Sequence, residues 1–286
     1  MIQLSAFSDE AAESLSEQIA ALHRNEIAYT ELRGIDGKNV KDFTASQARE
    51  YRKVLDGGGI SVYSIGSPLG KEDISVNFDE YSEVVKHVCE LANIFGTNRI
   101  RMFSFYNAYG EKNKVFDYLQ KMVDIAELFG VTLCHENEKE IYGDTLARIS
   151  EIKQNVKGLK YVYDPANFLQ VGEKADDTLA ALHAETEYFH IKDVCADTGE
   201  LVPAGYGDGK IDKLVEMISS DKVLTLEPHL FIFGGYSRID NTVMKNKFTF
   251  KSNAEAFDAA VNALKKILES AGYYKVKNRI GAYEKI

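Results

Sequence analysis

Three things are scarce in this chain of 286 residues: cysteine, positive charge and long apolar runs. Its 3 cysteines, Cys89, Cys134 and Cys195, are too few and too scattered for a disulfide framework, and they read as reduced thiols of a cytoplasmic protein. Lys and Arg total 34 against 44 Asp and Glu, a formal charge of −10. So acidic a chain has no bulk attraction for a phosphate backbone, which argues against nucleic acid as a partner. No run approaches the ~20 apolar residues that span a bilayer, so no membrane partner is expected. The opening MIQLSAFSDE carries acid where a secretory signal carries base. No G-x-G-x-x-G follows the first strand-like run, where the sequence reads FSDEAAES. That weakens an open dinucleotide-binding sheet as the fold.

What is present is a rhythm. Strand-like runs are expected at Ile2–Phe7, Tyr29–Arg33, Ser61–Ser67, Arg99–Phe105, Val131–Asn137, Leu159–Asp164, Tyr188–Val194 and Val223–Glu227. Helical patterns follow each in turn, among them Asn77–Phe95, Asn113–Phe129, Asp144–Asn155, Asp176–Glu185, Ile211–Ser219 and Ala254–Ser270. Strict alternation implies parallel strands with crossover helices, and this length suits one closed (β/α)8 TIM barrel. The barrel is expected over residues 1–272, with 273–286 a tail that packs on the barrel or on a partner subunit. A long insertion, about 230–250, reads as a lid or a subunit contact.

In such a barrel the C-terminal ends of the strands converge on one mouth. Four consecutive strands each deliver a metal-capable side chain there: Glu136, Asp164, His190 and Glu227. Any one of them alone is an ordinary strand-end residue. Three unpaired carboxylates at one mouth would repel each other, and a cation relieves that. The oxygen-rich set favours one divalent ion per chain, Mn first, with Mg, Co or Zn as alternatives. Lys192 points toward the mouth, either to hold substrate oxygen or to pair with Asp193 or Glu227. His229 is a candidate substrate contact. Glu31 and Arg33 close the second strand either as hydroxyl ligands or as a Glu–Arg pair. Phe7, Phe103, Phe105, Tyr142, Phe231 and Phe233 are candidates for an aromatic wall. The glycines of VPAGYGDGK (202–210) offer amides to a phosphate without any P-loop pattern, and the stretch reads as a site-lining loop.

Several stretches together resemble the xylose-isomerase-like barrel superfamily, in its sugar phosphate isomerase/epimerase branch. They are CHENEKEIYGDT (134–145), YDPANFLQVG (163–172), HIKDV (190–194) and LEPHL (226–230), over nearly the whole chain. The resemblance implies a single-metal site at Glu136, Asp164, His190 and Glu227. It implies a metal-dependent isomerase or epimerase of a sugar or keto-sugar, possibly phosphorylated. The reaction would pass through a cis-enediolate, with Glu136 and Glu227 as the acid/base pair. The carbohydrate is the expected partner, and oligomers are common in the family. The chain also departs from the ketose 3-epimerase pattern. Asn167 stands where the sixth-strand motif has His, and Ala196 where an Arg follows the seventh-strand His. The HxKD run of His190–Asp193 occurs in inosose dehydratase relatives, so a keto-polyol dehydratase on the same site is the alternative. On either reading Asn167, Lys192 and His229 are the expected substrate-binding residues.

Overall fold

A computed structural model describes residues 1–232 and 247–286. The strands are β1 (Ile2–Ala6), β2 (Tyr29–Leu32), β3 (Ser61–Gly66), β4 (Arg99–Met102), β5 (Thr132–Glu136), β6 (Lys160–Tyr163), β7 (Tyr188–Ile191) and β8 (Lys222–Leu226). They pair in chain order, all parallel, and β8 returns to β1 with Ile2 opposite Lys222 and Ala6 opposite Leu226. That last pairing closes the (β/α)8 barrel and leaves no free edge in the ring.

The helices cover the outside: α1 (Leu15–Arg24), α2 (Ala45–Gly57), α3 (Phe78–Phe95), α4 (Lys112–Leu128), α5 (Leu146–Asn155), α6 (Pro165–Gln170), α7 (Ala175–Leu182), α8 (Ile211–Glu216) and α9 (Asn253–Ser270). Local chemistry sets their ends. Thr44 caps α2 in a reciprocal box with Gln47, and Asn77 caps α3, which stops at Gly96 with φ 74°. The apolar faces of these helices and the outward side chains of the strands form one core around the ring. A C-terminal hairpin, β9 (Tyr273–Lys275) and β10 (Ala282–Lys285), runs β10 antiparallel to the first residues of β1. No helix among the described residues is long and apolar enough to cross a membrane.

Three differences from the sequence-based expectation bear on the mouth. The expected seventh strand splits: Asp193–Val194 leaves the barrel and pairs with Leu201–Val202 as a separate small hairpin. Pro165 does not merely end a strand; it opens α6 at the first helical position, with Asp164 as its N-cap. A missing N–H costs nothing there, so proline suits that position. The expected fourth strand also ends early, at Met102, and Phe103 and Phe105 instead donate backbone hydrogen bonds to Leu69 and Gly70. Gly70 has φ 83°, and a Cβ there would fall on the Phe103 carbonyl, so this loop crossing requires glycine.

Candidate metal centre

Barrel register brings the four strand-end residues together. His190 is level with Thr225 of β8, and Glu227 lies two residues further on, on the same face. Tyr163 is level with Phe189, which places Asp164 beside His190; Val162 is level with Glu136. One ligand atom from each of Glu136, Asp164, His190 and Glu227 lies within 4.8 Å of all the others, and all four residues are buried.

The contacts inside this cluster leave donor atoms over. His190 Nδ1 is 3.0 Å from Glu136 Oε1 and 3.1 Å from Glu227 Oε2. Asp164 spends Oδ1 on capping α6, accepting from Asn167 N at 3.0 Å. Glu136 Oε2, Asp164 Oδ2 and Glu227 Oε2 are buried and receive no hydrogen bond of acceptable geometry, although Arg101, Lys192 and His190 lie within ion-pair distance of them. Buried polar atoms are normally hydrogen-bonded, so three carboxylate oxygens around one point that have ion-pair partners but no hydrogen bond of good geometry fit a cation. Hard oxygens with one imidazole suit Mn, Mg, Co or Zn.

The charges are strongly coupled. Burial opposes a charge on His190, but the carboxylates of Glu136, Glu31 and Glu227 outweigh it and raise its pKa well above the usual imidazole value. Burial likewise opposes Lys192, and Asp164 and Glu227 more than reverse it. Burial also lifts Asp164 to about 7, against the pull of Lys192. Glu227 goes the other way: despite burial, Lys192 and His190 hold it well below the usual carboxylate range.

A family model described as Xylose isomerase-like TIM barrel matches residues 19–230. The chain belongs to that family. No curated protein matches it by sequence. Among solved structures, its barrel resembles the probable 3-DHS dehydratase AsbF from Bacillus anthracis, involved in petrobactin synthesis, with TM-score 0.70 and 17% identity over 93% of this chain and 99% of that one. It resembles the IolI protein with a bound zinc atom, with TM-score 0.69 and 17% identity over 94% and 99% of the two chains. It also resembles an L-ribulose 3-epimerase, with TM-score 0.71 and 16% identity over 95% and 96%. At these identities the likeness is one of fold.

Around this candidate centre of the xylose isomerase-like barrel, the other expected residues fall in different places. Asn167 turns its amide inward, donating to Asn137 O at 2.9 Å and Glu136 Oε1 at 3.3 Å, and so orients the Glu136 carboxylate. Lys192 Nζ pairs with Asp164 Oδ2 at 2.8 Å and lies 3.7 Å from Glu227 Oε2. Asp193 is engaged elsewhere. Its carboxylate accepts from the backbone amides of Val194, Gly205, Gly207 and Gly209 at 2.9–3.0 Å. The glycine amides thus tie their own loop down and do not form a phosphate cradle. Asp193→Ala orphans the buried amides of Val194 and Gly209 and frees the part-buried ones of Gly205 and Gly207, and is expected to cost about 2–4 kcal/mol. Urea unfolding, with faster amide exchange over 203–210, reads that loss.

Glu31 and Arg33 take different partners. Arg33 binds Asp9 through two nitrogens at 2.9 and 3.0 Å and reaches Glu10 at 3.2 Å and Glu227 at 3.1 Å. It therefore stands between the carboxylates of a second acidic group, Glu10, Glu227 and His229. His229 Nε2 is 3.3 Å from Glu10 and 3.5 Å from Glu227, and burial lowers its pKa to about 4. Asp9 and Glu10 were not singled out in the sequence; two acids directly after the first strand were the available signal. Phe7 and Phe103 do reach the mouth, with Arg33 over Phe7 at 4.3 Å and Arg101 and Lys71 over Phe103 at 4.5 and 4.4 Å. Phe105 and Tyr142 pack instead on Tyr81, Tyr118 and Phe116 of the helical layer. Phe231 is half-buried against the core. Phe233 and most of the expected lid lie outside the described residues.

Proposed function

We propose that this protein is a divalent-metal-dependent isomerase or epimerase of a sugar or keto-sugar, free or phosphorylated. The observation that carries the reading is the convergence of Glu136, Asp164, His190 and Glu227, one per successive strand, with three of their buried oxygens ion-paired but without a hydrogen bond of good geometry. A bound Mn, Mg, Co or Zn ion would polarise a substrate carbonyl and its neighbouring hydroxyl, lowering the cost of an enediolate.

The protein's own residues supply the rest. Glu136 and Glu227 enter from β5 and β8 with two strands between them, so their carboxylates flank whatever is held at the centre. One takes the proton from the carbon beside the carbonyl; the other, protonated, returns a proton. Return to the same carbon from the opposite face is epimerisation, and return to the neighbouring carbon is isomerisation. Asn167 and Arg101 hold Glu136 in place, while Arg33 and His229 hold Glu227. Lys192 and His229 are the groups assigned to substrate oxygens. Burial of the cluster keeps water from competing for the proton.

Lys192 also supports a second reading. Its ammonium, buried beside Asp164 and Glu227, is a proton donor for a departing hydroxyl, as a keto-polyol dehydratase requires.

Elemental analysis of chelator-free protein beside His190→Ala tests the metal. About one equivalent per chain is expected in the wild type and none in the variant. Ketoses and keto-inositols in deuterated water then separate the two chemistries: exchange into product without loss of mass is epimerisation or isomerisation, and loss of one water is dehydration. A wild type that binds no divalent ion overturns both.

A further inference from the structure

Glu31 plays no part in the reaction just described, yet it is a fully buried carboxylate inside the barrel. Burying a carboxylate costs several kcal/mol unless it is well partnered, and barrel interiors are usually filled by branched apolar side chains. Its partners are specific. Oε2 lies 3.0 Å from His190 Nε2, and Oε1 accepts from Tyr188 Oη at 2.8 Å. Tyr188 Oη is in turn 3.2 Å from Ser64 Oγ, and Arg101 Nε lies 4.0 Å from Glu31 Oε1. The other side of the imidazole, Nδ1, faces the ligand cluster. Phe7 meets the ring edge-on at 5.2 Å and Tyr188 at 5.6 Å, which fixes its plane.

We propose that Glu31 is the positioning residue of the metal centre, holding His190 with its proton on Nε2 so that Nδ1 offers its lone pair to the ion. A carboxylate only accepts, so the nitrogen facing it must donate. Ligation requires the neutral ring, which the surrounding carboxylates disfavour until a cation offsets their charge; with the one remaining proton on Nε2, Nδ1 is free to ligate. Without Glu31 the bias reverses, because Glu136 and Glu227 both attract the proton to Nδ1 and nothing opposes them at Nε2. Tyr188 extends the chain by keeping Glu31 turned toward the ring. This inference rests on the metal reading of the site.

The test uses the full chain, stripped with chelator and titrated with Co²⁺, following its visible absorption and its competition with a chelator of known affinity. Outer-shell partners of metal-bound histidines are worth about 10–100-fold in affinity. Glu31→Leu, which has no acceptor, is expected to bind Co²⁺ weaker by that factor and with shifted visible bands. Glu31→Gln restores an acceptor oxygen and is expected to recover most of the affinity, a rescue that loss of packing alone would not show. Equal affinity in Glu31→Leu and wild type, or a Gln variant no better than Leu, overturns the proposal and leaves the metal reading standing. A wild type that binds no Co²⁺ overturns both. Should Glu31→Leu not fold, ¹⁵N-histidine spectra of zinc-loaded wild type decide. An N–H correlation on His190 Nε2 supports the proposal, and a proton on Nδ1 instead rejects it.

Discussion

Glu136→Gln and Glu227→Gln are each expected to slow substrate proton exchange by about 10²–10⁴ when measured at saturating metal. The amide keeps the shape of the side chain and one lone-pair oxygen, so each variant can still fill most of the coordination space. It cannot take a proton. The surroundings make the change larger than the loss of one base. Arg101 Nη1 lies 3.2 Å from Glu136 Oε2, and Arg33 Nη1 lies 3.1 Å from Glu227 Oε1; each guanidinium would lose a buried anionic partner. Because the two carboxylates act on one substrate from opposite sides, the double variant is expected to be little worse than either single one, as for residues that work as a unit. The measurement is deuterium incorporation from solvent, with metal content checked in each variant. Exchange within threefold of wild type in either fully loaded single variant would remove that residue from the acid/base pair.

His135→Leu is expected to flatten the acid side of the stability profile. His135 precedes Glu136 on β5 and so points to the opposite face, away from the mouth. It is fully buried, neither ring nitrogen has a hydrogen-bond partner, and a Cβ on Gly143 would strike its ring. Burial alone lowers its pKa from 6.5 to about 3. The unfolded chain therefore binds a proton near pH 6.5 that the folded chain refuses until about pH 3. The contribution to stability is complete above 6.5 and is lost as pH falls from there toward 3, at a slope on the order of 1.4 kcal/mol per pH unit. Leucine has no such proton to refuse. At pH 7 the variant is expected to be neutral or slightly stabilised, since two orphaned nitrogens disappear. Urea unfolding of both proteins at pH 7, 5 and 4 reads the difference; parallel profiles would show that His135 does not set the acid limit.

Much of this architecture was legible before any coordinates. Parallel strands covered on both sides read as short apolar runs, and capping residues such as Thr44 and Asn77 mark where helices start. The convergence of Glu136, Asp164, His190 and Glu227 was legible because a barrel sends every strand end to one mouth, so strand order alone places them near each other. The contacts around them were not. Glu31 and Arg33 are two residues apart, yet one reaches His190 and Tyr188 and the other reaches Asp9, Glu10 and Glu227. Asp193 stands next to Lys192, yet it binds a glycine loop while Lys192 crosses to Asp164.

The sequence by itself determined the alternation of strands and helices, and which polar residues stand at the strand ends. Those are local matters of periodicity, capping and turn chemistry. Only the closed barrel decided which partner each polar group meets, and hence which carboxylates converge at the mouth and which one faces the far nitrogen of His190. Alternation along a strand names the face a side chain points to, but the neighbour across the ring depends on register, shear and closure, which are properties of all eight strands together.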